Sequence, residues 1–200
     1  HGTKRYNFTS GWVESKSKQF QKFGRFEVRA KLPPASVGRS GMWPTAWPAH
    51  WLMPEPTCST PPNVCWPVGG EIDIMEHVGY DENVIVTSLH NAALSAGNIG
   101  GTDQHGSVRQ LDACKNFNTY TLEWSNDEIK IFVNEKISLH YPKGNKNWAK
   151  WPFDKRFHLL FNIAIGGNWG GQEGIDDSIF PSKMEIDYVR VYSSKENEET

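Results

Sequence analysis

Apolar and polar residues alternate with a period of two along much of the chain. In Arg25-Phe26-Glu27-Val28-Arg29-Ala30-Lys31-Leu32 the apolar side chains of Phe26, Val28, Ala30 and Leu32 fall on one side and the charges on the other. A β-strand sends successive side chains to opposite faces, so this pattern predicts a half-buried antiparallel strand, ended by Pro33-Pro34. Residues 119–124 and 128–133 alternate in the same way, and the Ser125-Asn126-Asp127 between them suits a hairpin turn. Residues 157–165 form a longer apolar run that predicts a strand buried on both faces. Further strands are predicted over 71–78, 84–90 and 184–192, the first two as a hairpin. The Pro-rich stretch 33–69 reads as long loops holding one short strand. Residues 92–110 and 141–156 read as loops, and one helical turn is predicted near 176–179. Short strands separated by Gly and Pro turns predict an all-β sandwich or barrel.

The chemistry gathers on one of these strands. Gly70-Glu71-Ile72-Asp73-Ile74-Met75-Glu76-His77 carries three carboxylates within six residues. By alternation Glu71 and Asp73 share a face and Glu76 has the wrong parity. One extra residue, a β-bulge near Met75, restores it. Glu71 and Glu76 then behave as positions four apart, with Cα atoms about 13 Å apart at about 3.3 Å per residue. Two long side chains leaning together bring the carboxyl groups to about 5–6 Å, the spacing of a retaining glycosidase.

Composition narrows the partner. A net charge of −2 gives no electrostatic footprint for nucleic acid or an anionic membrane, and no apolar run reaches the roughly 18 residues of a membrane span. Nine Trp is high for 200 residues, and Trp43, Trp47, Trp51 and Trp66 all fall shortly before the acidic strand. The C–H faces of a sugar ring stack on flat aromatic rings, so Trp beside paired carboxylates favours a saccharide cleft over plain packing. Cys58 and Cys65 bracket a polar, Pro-rich loop and are expected to form a disulfide, hence an oxidising compartment, with two free thiols as the alternative. Cys114 is left over and expected to be buried. Asn7-Phe8-Thr9 is a glycosylation sequon and agrees with secretion. The first residues are not a signal peptide. The seven His show no zinc-ligand spacing.

The acidic stretch resembles the catalytic signature of glycoside hydrolase family 16, in the bulged, laminarinase-type form with a Met before the last Glu. The resemblance extends over Phe23-Gly24-Arg25-Phe26-Glu27-Val28-Arg29-Ala30-Lys31, the Trp-Pro-Ala-x-Trp pattern, Asn162-Ile163-Ala164-Ile165-Gly166-Gly167-Asn168-Trp169 and Asp187-Tyr188-Val189-Arg190-Val191-Tyr192. It implies a concanavalin-like β-jelly roll with a concave substrate cleft, formed by a single catalytic domain over 1–200 that lacks the family's usual N-terminal strands. By position it implies Glu71 as nucleophile, Asp73 as its assistant and Glu76 as acid/base. The Trp-Pro-Ala-x-Trp pattern aligns from Trp43 or from Trp47, the second matching more residues, so Trp43, Trp47 and Trp51 are all candidates for sugar stacking. His90 is placed near the acid/base, with a purely structural role as the alternative, and Trp169 at the cleft rim. Some relatives bind a structural calcium partly through the Asp that matches Asp187; no cofactor is implied for catalysis.

Three functions share these features. An endo-β-1,3-glucanase, monomeric and secreted, would act on laminarin-type β-glucans and, in some relatives, on mixed β-1,3-1,4-glucan. A β-glucan transglycosylase would use the same covalent intermediate. A non-catalytic β-glucan-binding module would keep the groove and lose the Glu pair, and both Glu residues are present here.

Overall fold

The structure, a computed structural model, describes residues 7–34, 46–55, 66–94 and 104–193. Strand β2 (Gly24–Lys31) alternates strictly between buried and part-exposed positions, as its sequence requires. The buried side chains Phe26, Val28 and Ala30 share one core with Ile72, Ile74 and Met75 of β4 (Glu71–Glu76). That core lies between two antiparallel sheets.

The first sheet runs β1-β10-β3-β4-β5-β6. Its members are β1 (Trp12–Glu14), β3 (Ala46–Pro54), β4, β5 (Val84–His90), β6 (Gln104–Arg109) and β10 (Phe157–Ile165). The second runs β11-β2-β7-β8-β9, with β7 (Asn118–Trp124), β8 (Glu128–Val133), β9 (Lys136–Pro142) and β11 (Glu185–Tyr192). Two single 3₁₀ turns, Ala92–Leu94 and Asp177–Ile179, complete the described elements. The second follows an N-cap, Asp176, whose side chain accepts from the Ser178 N–H. The expected all-β sandwich is therefore present, and the hairpins β4–β5 and β7–β8 fall where alternation and turn chemistry put them.

Several expectations need correction. The short strand foreseen within 33–69 is nine residues long and central, and it contains Pro48. Pro48 lacks an N–H, but its carbonyl still accepts from the His77 N–H at 3.2 Å, so the strand pairs on both sides. The 92–110 stretch contains β6, and β9 runs into the segment read as loop from 141. Strand β10 is fully buried only over its first four residues. Beyond them the sandwich gapes: Phe161 lines a cavity of about 360 Å³ with Val13, Phe26, Leu159, Val189 and Val191. Cys114 packs partly buried against the core rather than fully enclosed.

The opposite side of the sandwich is shut. A Cβ on Gly106 of β6 would sit 1.9 Å from the Ser138 carbonyl oxygen on β9, so the two sheets touch there backbone to backbone. The hydroxyls of Thr87 and Ser138 add a 2.9 Å hydrogen bond across the same seam.

Candidate active site

Two features aim β4. Gly70, at φ +87°, has no room for a side chain: a Cβ would meet Pro152 and Phe153 at 2.9–3.1 Å. The strand thus starts close against the 152–153 segment. Four residues on, the ladder slips. Asp73 pairs with Ser88 and Glu76 with Val86, so Ile74 and Met75 together oppose Thr87. The ladder with β3 slips at the same place. Both bulge side chains are fully buried in the core. The extra residue absorbs the parity error, and Glu71, Asp73 and Glu76 all emerge on the outer face of the six-stranded sheet, as predicted.

Neighbouring strands frame the row. Glu71 lies directly opposite His90, whose Nε2 is 2.9 Å from Asp73 Oδ2. His90 thus stands at the nucleophile end of the row rather than against Glu76. The Trp47 indole donates to Glu76 Oε1 at 3.1 Å, and the Ser88 hydroxyl donates to Oε2 at 3.4 Å. The Trp66 indole donates to Glu71 Oε2, and its ring lies 5.7 Å from that of His90. Trp51 projects on the same face but gives its N–H to Asn162 at 2.8 Å, with Trp12 edge-on against it at 5.5 Å. Trp169 packs edge-on against Trp47 at 5.1 Å, which brings the Gly-rich turn after β10 to the Glu76 end. Trp43, Cys58 and Cys65 lie outside the described residues.

Ser88 and Asn162 are the site residues that sequence reasoning passed over, and Trp66, counted among the Trp before the acidic strand, was given no contact of its own. Ser88 precedes His90 by two on one strand and was findable by alternation. Trp66 reaches Glu71 from a turn, which no periodicity announces. Asp187 lies on β11, paired with Arg29. It belongs to no group of three or more potential metal ligands among the described residues. A lone carboxylate already bound to a guanidinium does not by itself supply the six to eight oxygens that calcium takes.

The electrostatics follow from burial. Desolvation pushes the Glu76 carboxyl up to about 7; the charge of Glu71 adds to this, while His90, Trp47 and Ser88 pull the other way. Glu71 and Asp73 are also held above the ordinary carboxylate range, by burial first and then by the charge of a neighbouring carboxylate. These two share a hydrogen bond and hence one proton. Their hydrogen bond raises Glu71 and lowers Asp73, while the Trp66 N–H and the adjacent His90 pull the Glu71 carboxyl back down. The row can therefore offer one carboxylate and one carboxylic acid at neutral pH.

A carboxyl at each end of the row, a third between them and indole rings at both ends make the arrangement of a glycoside-cleaving site on a β-sandwich. The chain belongs to glycosyl hydrolases family 16, which it matches over residues 4–190. It is 40% identical over 190 residues to a β-glucanase of Rhodothermus marinus, covering 92% of this chain and 62% of that protein. It is 36% identical to a keratan-sulfate endo-1,4-β-galactosidase of Sphingobacterium multivorum, covering 92% of this chain and 40% of that one. The chain thus spans less than two thirds of these relatives. Among solved structures, the laminarinase of Rhodothermus marinus superposes with a TM-score of 0.79 at 38% identity, over 90% of this chain and 69% of that one.

Proposed function

We propose that the chain is the catalytic part of a retaining endo-β-glucanase that cuts internal β-1,3 links in laminarin-type glucans. The observation that carries this reading is the Ile74–Met75 bulge, which sets Glu71, Asp73 and Glu76 on one face beside Trp47, Trp51 and Trp66. Glu71 attacks the anomeric carbon, and Glu76 gives its proton to the departing glycosidic oxygen. The resulting glycosyl-enzyme is released when Glu76, now a base, takes a proton from the attacking water. Asp73 hydrogen-bonds Glu71 and helps set the charge balance of the row. Trp47, Trp51 and Trp169 offer ring faces and edges to glucose units along the sheet. The resemblance of the Met-bearing motif to laminarinase-type sites favours β-1,3-glucan over other glycans. The same reading carries a secreted, monomeric protein with Cys58 and Cys65 joined.

Product analysis on laminarin, curdlan, lichenan and agarose side by side tests this. Short β-1,3-oligosaccharides from laminarin and curdlan, with retained anomeric configuration, are expected. Binding to laminarin without new reducing ends would show a recognition module instead, and products longer than the substrate a transferase.

The pH profile follows from the same site. Glu76 must carry its proton, so kcat/KM is expected to fall as pH rises through about 7. Glu71 must be ionised, and its carboxyl is held above the usual range, so the acid limb lies above the ordinary Glu value of about 4.3. Trp47→Phe removes a hydrogen bond that favours the Glu76 anion. It is expected to move the alkaline limb upward by about one unit, the worth of a hydrogen bond to a charged acceptor. A limb unmoved in this variant would detach Glu76 from the alkaline side of the profile.

A further inference from the structure

Asp73 is 2% exposed, and its Oδ2 has no hydrogen-bond partner although His90 Nε2 is 2.9 Å away. At that separation a hydrogen bond fails only when the oxygen lies well off the N–H direction. A shared metal ion would give both atoms a partner. Two ligands at about 2.0–2.1 Å from one tetrahedral ion lie about 3.3 Å apart, a few tenths of an ångström beyond the 2.9 Å between His90 Nε2 and Asp73 Oδ2. Glu71 completes the set: one donor atom from each of Glu71, Asp73 and His90 lies within 4.8 Å of the other two. A small rotation of the Glu71 side chain closes the remaining gap. No other group of three or more such donors occurs among the described residues.

The scaffold suits a preformed site. Glu71 and His90 are directly opposite on paired strands, and Asp73 is two residues from Glu71 on the same face. Ligands carried on strands are held more closely than ligands on loops. One imidazole and two carboxylates, with a fourth position open to water, match Zn²⁺ better than the all-oxygen preference of Ca²⁺ or Mg²⁺.

We propose that Glu71, Asp73 and His90 bind a Zn²⁺ ion, and that the bound ion blocks the glycosidase by occupying its nucleophile. The binding half stands on geometry alone. The blocking half rests on the reading of Glu71 as nucleophile. No bond to substrate is made or broken on the metal, so the block reverses when a chelator removes it.

The test is calorimetric titration of the EDTA-dialysed full chain with ZnCl₂ in a non-chelating buffer at pH 7, alongside laminarin initial rates. One site per chain is expected, weakened at least tenfold in His90→Gln and again in Asp73→Asn. It should be unchanged in His140→Gln and His105→Gln, which remove imidazoles elsewhere. Near-ultraviolet circular dichroism of each variant reports the fold, and Asp73→Asn carries the test if His90→Gln loses it. On laminarin, ZnCl₂ should raise the apparent KM, and EDTA should restore it. Absence of a one-to-one site, or a site indifferent to both substitutions, overturns the proposal. A His90-dependent site with undiminished laminarin hydrolysis overturns the blocking half. A His90-dependent site in a chain that cleaves no glucan supports the metal site and refutes the glucanase reading.

Discussion

Glu71→Gln is expected to lower kcat/KM on laminarin by at least about 10⁴-fold, because no other group can form the covalent intermediate. Glu76→Gln is expected to cost about 10²–10⁴-fold through loss of general acid–base catalysis. The two losses differ in kind, and an aryl β-glucoside of laminaribiose with a dinitrophenolate leaving group separates them. That leaving group departs without a proton. Glu76→Gln should therefore release a rapid burst of dinitrophenol and then stall at the glycosyl-enzyme, whereas Glu71→Gln should give no burst. Added azide should restart the stalled variant as a β-glycosyl azide, since azide needs no base to attack. A burst in Glu71→Gln, or wild-type rates in either variant, would remove the assignment of roles. Both substitutions keep side-chain volume and shed a carboxyl that burial already strains, so neither is expected to lower the melting temperature.

The second large effect concerns stability. Gly106→Val is expected to destabilise the fold by about 3 kcal/mol or more, because a Cβ there would meet the Ser138 carbonyl at 1.9 Å and backbone cannot step aside as a flexible side chain can. For a domain of 200 residues that corresponds to roughly 6–12 °C in melting temperature. Gly106→Ala is expected to fall nearly as far, since the first carbon already clashes. Scanning calorimetry of both variants checks this. A melting temperature within a degree or two of the parent would mean that β6 and β9 separate at little cost.

The sequence was most legible where strands are central. Strand β2 has a paired strand on each side, so its burial follows its alternation residue by residue. The parity of Glu76 forced the bulge, and the bulge is there. What sequence reasoning missed lies mainly at the margins: β1, β6 and β9 are all outermost strands. In β6 only Val108 is buried, and in β1 nothing is. An edge strand with both faces near water has no reason to alternate. Strand β3 was underread for a different reason, because its prolines imitate a loop while its carbonyls still pair. In the site, the row of acids could be placed from spacing alone, and His90 and Trp47 from the resemblance. The Trp66 contact comes from tertiary folding of a turn onto β4, and Asn162 from a strand over a hundred residues away in sequence.

The sandwich is bound along one margin like the spine of a book, at Gly106 and Ser138, and its free margin is the cavity between β1–β10 and β2–β11. Unfolding fluctuations should therefore be hinged rather than uniform. Backbone amides of Val13, Val189 and Val191 are expected to exchange with deuterium well ahead of those of Ile85 and Leu122, whose strands lie within the sheets. In its own sheet the catalytic strand is set off from β1 and β10 at the free margin by β3. Leaves that part at that margin would leave the row of carboxyls undisturbed, so the protein can breathe without losing its chemistry.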